Sequence, residues 1–296
     1  VIPSSGNAAI AVAAAGAKTG MPVYAFLSPG THPGKIQAMI KFKPGLIIVD
    51  KPINRARNIS RRLGFQNLRP SRDPRAIEGF MSLGFEIAEQ DSDQAITDVF
   101  MFSTSGATLL GLFEAFRHLI RSKKRKRLPR LHAVQAGKAI ELAQHFDKRP
   151  VPGYEDKSSQ QAGFGGVRSS SLVPRLLQSI ETSGGSAWHI TQHETNMARK
   201  WLEDQSIHTS DEGCSALAAV ARWRQEGHNG TPLVILSGKF YSERDSVFEY
   251  GLISGITSSE DLVGETFQGL LCRSNSYAGV EAFVKSMQER RNGTKN

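Results

Sequence analysis

Cysteine is scarce in this chain, and a long uninterrupted hydrophobic run is missing. Only Cys214 and Cys272 occur among 296 residues, too few for a disulfide framework or for a paired-cysteine metal site. The apolar first 27 residues lack a basic start and are interrupted at Ser4–Asn7 and Lys18–Pro22, so they predict neither a signal peptide nor a membrane span. These absences indicate a reducing compartment, and we expect a cytoplasmic location without a membrane partner.

Acidic residues are outnumbered, with 28 Asp and Glu against 37 Lys and Arg and a net charge of +9. Much of the excess lies in one run, RSKKRKR at Arg121–Arg127, followed closely by Arg130. A basic run at the end of a predicted helix is typical of a solvated face that complements the negative end of the helix dipole. No zinc-finger, RRM or KH motif accompanies the run, so we do not expect nucleic acid as a partner.

Short apolar runs alternate with segments of helical period along most of the chain. PVYAFL from Pro22, GLIIVD from Gly45 and DVFMF from Asp98 each precede a helix-like segment. This alternation is typical of parallel strands joined by crossover helices and predicts an α/β fold. The exception is Lys148–Ser171, where Pro, Gly, Ser and Gln cluster without period and predict a loop.

Two strand-to-helix loops carry residues that suit an anion. One is Ser4–Asn7, before an alanine-rich helix, and the other is Ser103–Thr108, after DVFMF. The first turn of a helix leaves backbone N–H groups unpaired at the positive end of its dipole, and hydroxyls and glycine add donors and close access. Neither loop matches GxGxxG or GxxxxGKS, and Ser5 or Asn7 could serve only as an N-cap. As a pair, the loops predict a ligand with two anionic ends.

A third short element is LVILSG, an apolar strand that ends in Ser237 and Gly238. It delivers a hydroxyl at the carboxyl end of a strand, where α/β sheets bind ligands, although a simple turn also fits this pattern. The histidines His189, His193 and His208 are dispersed without metal-ligand spacing. We therefore expect no metal site.

Six blocks, in order, resemble the fold type II pyridoxal-phosphate-dependent enzymes, the relatives of the tryptophan synthase β chain, and among them the threonine synthases. The resemblance covers roughly Ile2 to Gly238 and rests on SSGN with its alanine-rich helix, PSRDPRAIEGFMSLGFEIAEQ, FSTSGATLLGLFEAF, LHAVQA, DEGCSALAAVAR and LVILSG. It implies a three-layer αβα architecture of open, twisted, mostly parallel sheets whose N-terminal part is incomplete. It also implies pyridoxal 5′-phosphate as the cofactor.

The resemblance assigns roles to matching residues. It implies that Asn7 hydrogen-bonds the 3′-oxygen of the cofactor ring and that Ser237 faces the pyridine nitrogen. The resemblance implies that Ser4, Ser5 and Gly6 bind the substrate carboxylate. It also implies that the cofactor phosphate is bound by Thr104, Ser105, Gly106, Ala107 and Thr108.

The chain also departs from the family's pattern. Thr104 and Ala107 stand in a loop where the family is richer in glycine, and KFYSERD follows Gly238 in place of a further glycine and Lys-Asp. The family's Schiff-base lysine lies upstream of the SSGN loop, and no lysine precedes Ser4 here. A lysine is needed to prime the cofactor and to move protons. We therefore expect no catalytic residue in the chain as it stands. We expect the chain to bind its ligands but not to catalyse turnover.

The resemblance implies a domain division and a reaction class. We expect a small subdomain with the Asn7 loop at 1–95, a larger cofactor-binding subdomain at 96–245 and a weakly patterned C-terminal extension or tail at 246–296. The implied activity is that of a lyase of threonine-synthase type, in amino-acid biosynthesis, acting on a small amino-acid substrate such as O-phosphohomoserine. A threonine or serine ammonia-lyase and a non-catalytic binding protein of the same fold remain alternatives, and a homodimer is compatible with all three.

Overall fold

The computed structural model describes residues 1–137, 139–146, 171–241, 262–264, 271–273 and 277–293. The chain forms two compact units, one from Val1–Arg69 with Tyr241–Asn296 and the other from Pro70–Phe240; they are called unit 1 and unit 2 below. Of the predicted loop Lys148–Ser171, only Ser171 falls within the described residues.

Unit 1 is built on a five-stranded sheet of order β1-β2-β3-β9-β8, in which the first four strands run parallel and β8 is antiparallel to β9. Its strands are β1 (Ile2–Pro3), β2 (Tyr24–Leu27), β3 (Gly45–Ile48), β8 (Leu262–Gly264) and β9 (Leu271–Arg273). Its helices are α1 (Asn7–Thr19), α2 (Pro33–Ile40), α3 (Pro52–Leu63) and α10 (Tyr277–Gly293).

Alternating side chains of β2 face the two helix layers of unit 1, as the two-residue period of a strand requires. Tyr24 and Phe26 pack in the apolar cluster that contains residues of α3 and α10. Ala25 and Leu27 pack in the cluster that contains residues of α1 and α2. Unit 1 is therefore a three-layer αβα arrangement.

Unit 2 is built on a parallel sheet of order β6-β5-β4-β7. Its strands are β4 (Asp98–Phe102), β5 (Arg130–Ala136), β6 (Ala187–Ile190) and β7 (Pro232–Ile235). Its helices are α4 (Arg75–Gln90), α5 (Ala107–Arg121), α6 (Glu141–Phe146), α7 (Val173–Ser183), α8 (Gln192–Asp204) and α9 (Asp211–Gln225).

The central strand β4 shows the same alternation as β2. Val99 and Met101 lie in the apolar cluster shared with α4, α5 and α7, and Phe100 and Phe102 lie in the cluster shared with α8 and α9. Both units thus have helices on both faces of a largely parallel sheet. The α/β, three-layer αβα fold that the sequence predicts is confirmed.

The two units divide the chain differently from the predicted subdomains. α4 falls within the predicted first subdomain, 1–95, but it packs in unit 2, because glycines bring it close to α5. A Cβ on Gly84 would lie 2.5 Å from Cβ of Ala115, and one on Gly111 would lie 2.5 Å from Cβ of Phe80. The first boundary of the observed units therefore follows Arg69 instead of residue 95.

The C-terminal residues, predicted as an extension or tail, belong to unit 1. β9 pairs in parallel with β3, and α10 contributes Val280, Phe283 and Val284 to a buried apolar cluster. Among the helices of the described ranges, none combines the length and apolarity needed to cross a bilayer.

Candidate functional site

The loop from Ser4 to Gly6 leads from β1 into α1 in unit 1. Ser4 Oγ accepts a hydrogen bond from the Gly6 N–H at 3.2 Å, and the Gly6 carbonyl accepts from the Ala9 N–H at 3.0 Å. Gly6 is the N-cap residue of α1, and no side chain caps the helix. The interpretation of Ser5 or Asn7 as a mere N-cap is therefore wrong. Asn7 is exposed at the first helical position, and its amide has no hydrogen-bond partner within the described residues.

Ser5 is held by hydroxyls that the sequence reasoning missed. Its Oγ lies 3.2 Å from Oγ of Ser28 and accepts from the Ser28 N–H at 3.3 Å. Thr31 Oγ1 donates to the Ser28 carbonyl at 2.7 Å. Ser28 and Thr31 follow β2, the parallel neighbour of β1. The Ser, Gly and Thr residues that follow PVYAFL are the sequence signal that could have identified this second loop.

The loop after β4 begins α5 in unit 2 with a glycine in the left-handed region. Gly106 has φ of 80° and is the N-cap residue of α5, and a Cβ there would lie 2.6 Å from Leu176 Cδ2. Ser105 Oγ accepts from the Ala107 N–H at 3.3 Å. The next N–H groups, including that of Thr108, belong to the first helical turn and have no intrahelical partner. The first turn carries no acidic side chain, so this end of α5 is positive.

A row of three buried polar side chains crosses β4, β5 and β6 near their carboxyl ends. Phe102 pairs with Val134, which brings Ser103 beside Gln135, and Gln135 pairs with His189. Ser103 Oγ, Gln135 Nε2 and His189 Nδ1 are buried and have no hydrogen-bond partner within the described residues. The sequence pattern placed Ser103 in the loop after β4 but indicated no role for any of the three side chains. A Gln inside the apolar run LHAVQA was the available signal.

Ser237 lies at the same edge of the unit 2 sheet as the loop after β4. Met101 of β4 pairs with Ile235 of β7, so Ser103 and Ser237 follow adjacent parallel strands. The Ser237 carbonyl accepts hydrogen bonds from the hydroxyls of Thr209 and Ser210, the former at 3.4 Å. The structure thus brings Thr104–Thr108 and Ser237 to one edge of unit 2, whereas Ser4–Asn7 belong to unit 1.

The strongest electrostatic cluster of unit 2 surrounds Asp98, at the amino end of β4. Arg130 donates from Nε and Nη2 to the Asp98 carboxylate at 2.7 and 2.8 Å, and His132 Nε2 lies 2.9 Å from Oδ1. Burial by itself raises the pKa of Asp98, but hydrogen bonds from His132, Arg130 and Thr97 outweigh it and hold that pKa well below its usual range. Burial lowers the pKa of His132, and its Nδ1 accepts from Trp188 Nε1 at 3.2 Å.

The basic run is only partly the solvated face that the sequence predicts. Arg125 is buried, and its Nη2 lies 2.9 Å from the carboxylate of Asp91. Arg130 binds Asp98. The remaining cations of the run are exposed, namely Arg121, Lys123, Lys124, Lys126 and Arg127.

Across the described ranges, no group of three or more His, Cys, Asp or Glu side chains is arranged to hold a metal ion.

A family model described as pyridoxal-phosphate dependent enzyme matches residues 1–238. The chain belongs to this family. The cofactor of the family is pyridoxal 5′-phosphate, which agrees with the resemblance of the sequence blocks.

Two curated relatives of the chain are threonine synthases. The threonine synthase of Methanosarcina acetivorans is 26% identical over 206 residues, 67% of this chain and 50% of that protein. The threonine synthase of Methanocaldococcus jannaschii is 24% identical over 231 residues, 76% of this chain and 57% of that protein. This member of the family spans about half the length of the curated relatives it matches.

Solved structures share the fold of this pyridoxal-phosphate family member. The processed form of threonine deaminase isoform 2 from Solanum lycopersicum has a TM-score of 0.64 at 20% identity, over 83% of this chain and 71% of that one. A pyridoxal 5′-phosphate-dependent aspartate racemase has a TM-score of 0.67 at 12% identity, over 84% and 76%. At these identities the similarity shows the fold alone.

The residues at the start of α5 fit the phosphate of the family's cofactor. The left-handed Gly106 directs the chain into the helix where a side chain would collide with Leu176. Unpaired N–H groups and the hydroxyls of Ser105 and Thr108 are donors suited to a phosphate, and a positive helix end stabilises its charge. Ala107, in a position where the family is rich in glycine, is buried against the core of unit 2, so its methyl group does not lie exposed in the loop.

Proposed function

We propose that this chain is the cofactor-binding portion of a pyridoxal-phosphate-dependent lyase of threonine-synthase type, acting on a phosphorylated amino acid such as O-phosphohomoserine. The observation that carries the proposal is the phosphate-type loop at the start of α5, within a chain that the family model matches from residue 1 to 238. The similarity to two threonine synthases supports the substrate class.

In this proposal the loop from Thr104 to Thr108 holds the cofactor phosphate. The exposed Thr104 and the hydroxyls of Ser105 and Thr108 donate hydrogen bonds, and Gly106 allows the backbone to approach closely. The N–H groups of the first turn add donors along the axis of α5. A dianion placed there is stabilised by the helix dipole as well as by the individual hydrogen bonds.

Ser237 is proposed to face the pyridine nitrogen of the cofactor. Its carbonyl is fixed by Thr209 and Ser210, and no hydrogen bond to its own hydroxyl occurs within the described residues. A neutral hydroxyl donates to an unprotonated nitrogen without placing a negative charge beside it. Ser237 would therefore keep the ring nitrogen largely unprotonated.

For the loop of unit 1 we keep the roles that the resemblance implies. Asn7, exposed at the first turn of α1, donates its amide N–H to the ring oxygen of the cofactor. Ser4, Ser5 and Gly6 receive the substrate carboxylate at the positive end of the same helix. The hydrogen bonds that link Ser5 to Ser28 hold this loop in position before a ligand arrives.

The cofactor of this family supplies an electron sink that stabilises negative charge on the substrate α-carbon. The residues described here bind and orient, and none of them is proposed to carry the α-proton. We therefore propose that these residues bind pyridoxal 5′-phosphate reversibly, without a covalent bond between the cofactor and a lysine among the 296 residues.

Cofactor binding is tested by titrating the purified chain with pyridoxal 5′-phosphate in a calorimeter. The chain is then treated with borohydride, and its lysines are analysed by mass spectrometry. We expect binding that dialysis reverses and that inorganic phosphate weakens by competition, with no lysine carrying the cofactor. An absence of binding would overturn the cofactor role of the α5 loop, and one stoichiometrically labelled lysine would overturn the prediction of no covalent attachment.

A threonine or serine ammonia-lyase is the second candidate, because the chain shares its fold with the tomato threonine deaminase. The two candidates differ in the substrate that the cofactor-loaded chain should bind. If the chain is of threonine-synthase type, we expect O-phosphohomoserine to bind more tightly than L-threonine or L-serine. The site must then accept the phosphate of the substrate in addition to that of the cofactor. Calorimetric titration of the loaded chain with the three amino acids decides between them, and preference for L-threonine or L-serine would favour the ammonia-lyase.

A further inference from the structure

An Asn-Gly pair lies in the turn between α9 and β7 of unit 2. α9 ends at Gln225, and β7 begins at Pro232. Between them, Asn229 is exposed and Gly230 is half-buried. The pair precedes the amino end of β7, whereas Ser237 and the phosphate loop follow the carboxyl ends of their strands. The turn is therefore separate from the proposed cofactor site.

The fold requires glycine at position 230. Gly230 has φ of 150°, which L side chains rarely adopt, and a Cβ there would lie 2.3 Å from Thr97 Oγ1 and 2.8 Å from Asp98 Oδ2. The Thr231 N–H donates to Thr97 Oγ1 at 2.8 Å, and the Thr231 carbonyl accepts from the Thr97 N–H at 3.0 Å. These bonds fix the turn against the start of β4. The residue at position 229 is thus always followed by one without a side chain.

The turn leaves the two groups that can react with each other unpaired. The Gly230 N–H and the Asn229 side chain make no hydrogen bond within the described residues. Because Asn229 is exposed, its side chain can rotate to bring Cγ toward the Gly230 nitrogen. The absence of a Cβ at the next residue keeps this approach open. An intramolecular reaction between the side-chain amide and the backbone nitrogen is therefore sterically possible.

A guanidinium contacts the peptide group that must lose its proton in such a reaction. Arg130 Nη2 donates to the Asn229 carbonyl at 3.3 Å, and the buried Asp98 holds the same guanidinium at 2.7 and 2.8 Å. When the Gly230 nitrogen is deprotonated, its negative charge is shared with the Asn229 carbonyl oxygen, because both atoms belong to one conjugated peptide group. A cation already positioned at that oxygen stabilises the charge. Arg130 therefore favours attack by the Gly230 nitrogen.

We propose that Asn229 is a site of spontaneous deamidation that Arg130 promotes. The Gly230 nitrogen attacks Cγ of Asn229 and forms a C–N bond, while the side-chain nitrogen leaves as ammonia together with the proton from the Gly230 N–H. The product is a cyclic succinimide, which water opens at either of its two carbonyl groups. One opening gives aspartate at position 229. The other gives isoaspartate, in which the backbone continues through the former side chain.

Isoaspartate changes the turn in two ways. It adds a methylene group to the backbone before Gly230, where Thr97 leaves no space for a further carbon. It also converts the carbonyl that Arg130 contacts into a free carboxylate, which competes with Asp98 for the guanidinium. We therefore expect the modified chain to lose contacts between the starts of β4 and β7 and to unfold more easily.

Deamidation is tested by ageing the purified full chain at neutral pH and physiological temperature. Peptides from timed samples are analysed by mass spectrometry, and a synthetic peptide of residues 225–233 gives the rate without the fold. Asn196 on α8 is the internal reference, because it is also exposed but precedes methionine. We expect Asn229 to convert at least as fast in the protein as in the peptide, and Asn196 to remain an amide. Slower conversion in the protein, or equal conversion of Asn196, would overturn the proposal.

Two matched variants test the role of Arg130. In Arg130→Lys, the single ammonium pairs with Asp98 and lacks a second arm for the Asn229 carbonyl, so we expect conversion to slow about tenfold. Arg224 Nη2 donates to the Gly230 carbonyl at 2.6 Å, which belongs to the next peptide group. Arg224→Lys should therefore not slow the reaction. Equal rates in the two variants would contradict the role assigned to Arg130.

Asn229→Gln separates the effect of this turn from ageing elsewhere in the chain. Gln retains an amide, but its longer side chain must close a larger ring, which forms much more slowly. We expect the denaturation midpoint of the parent chain to fall as isoaspartate accumulates and that of the variant to stay constant. An equal fall in both chains would contradict the expected consequence for β4 and β7. These measurements need no pyridoxal 5′-phosphate, so their outcome is independent of the proposed function.

Discussion

Gly106 is the residue on which the proposed phosphate loop depends most directly. Its φ of 80° lies in the left-handed region, and the space for a Cβ is filled by Leu176 Cδ2 at 2.6 Å. We expect Gly106→Ala to lower the free energy of unfolding by about 1–3 kcal/mol and to weaken pyridoxal 5′-phosphate binding. Chemical denaturation and calorimetric titration measure the two effects.

Gly79 on α4 is the matched control for Gly106. It has open space around its would-be Cβ and no positive φ. Gly79→Ala should raise the free energy of unfolding by up to about 1 kcal/mol, since Ala is the better helix former, and should leave cofactor binding unchanged. If Gly106→Ala behaved like Gly79→Ala in both measurements, the steric argument for the loop would be wrong.

His132 predicts how stability depends on pH. Burial keeps the folded-state pKa of His132 below its ordinary value, whereas the unfolded chain takes up a proton below about pH 6.5. The unfolded state then binds more protons than the folded one, so the free energy of unfolding falls as the pH decreases below about 6.5. We expect denaturation midpoints to stay nearly constant from about pH 7.5 to 7 and to fall as the pH decreases from about 6.5 to 5.5.

The variant His132→Gln separates this contribution from that of His189, whose pKa burial also lowers. Gln retains a donor for Asp98 and an acceptor for Trp188 but does not titrate. The slope of stability against pH should therefore become shallower without disappearing. A midpoint that stays constant or rises on acidification of the parent chain would contradict the assignment of a neutral, buried His132.

Among the elements, α4 and α5 pack closely against each other in unit 2 at Gly84 and Gly111. A Cβ on Gly111 would lie 2.9 Å from the carbonyl oxygen of Ile77 and 2.8 Å from the backbone carbon of Phe80. These are main-chain atoms, which a rotamer change cannot move away. We expect Gly111→Ala to destabilise unit 2 by about 1–3 kcal/mol, measured by thermal or chemical denaturation.

A substitution that adds the same atom without a contact provides the comparison. Gly79→Ala on α4, which has open space around its would-be Cβ, should not destabilise unit 2, since Ala is the better helix former. If both substitutions had equally small effects, the two helices would have freedom to separate, and the argument from main-chain contact would fail.

At the same scale, the limits of sequence-based prediction have physical causes. The strands and helices from Pro22 to Gly238 follow apolar runs and helical periods that the residues themselves display, so they were predictable. β8 and β9 have three residues each, which is too short to show a period. The row of Ser103, Gln135 and His189 depends on the register between strands that lie far apart in the chain. That register cannot be read from one amino-acid sequence.

For the candidate site, the loops could be predicted from the sequence, whereas the contacts that hold them in place could not. The SSGN and STSGAT motifs are contiguous, and their place between strand and helix follows from the pattern. The links from Ser5 to Ser28 and from Gly106 to Leu176 join residues from separate elements. Such contacts exist only once the sheets and helices have assembled.

On the scale of the whole molecule, the C-terminal residues are part of the core of unit 1. Phe283 of α10 is 1% exposed and packs with Tyr24 and Phe26 in the same cluster. We expect Phe283→Ala to destabilise unit 1 by about 3–5 kcal/mol. Hydrogen exchange followed by mass spectrometry should show faster exchange in β2 and β3 and unchanged protection in β4 and β5.

A shorter chain tests the independence of unit 2. Residues 70–240 alone contain all four strands of its sheet and helices on both of its faces. We expect this fragment to fold cooperatively and to retain the phosphate loop, as judged by circular dichroism and by weak binding of inorganic phosphate. A fragment without a cooperative unfolding transition would show that unit 2 requires unit 1.

The insertion of β9 beside β3 has a consequence for the order in which the protein is made. A ribosome delivers β1, β2 and β3 before unit 2, but the strand that neighbours β3 in the finished sheet lies more than two hundred residues later, at Leu271–Arg273. All strands of unit 2 emerge in between. Since domains fold largely as their residues become available, unit 2 can complete its core during translation, while the segment that contains β3 must wait with one sheet edge unpaired. We infer that the early chain is the stage at which synthesis of this protein is most exposed to aggregation and most dependent on chaperones.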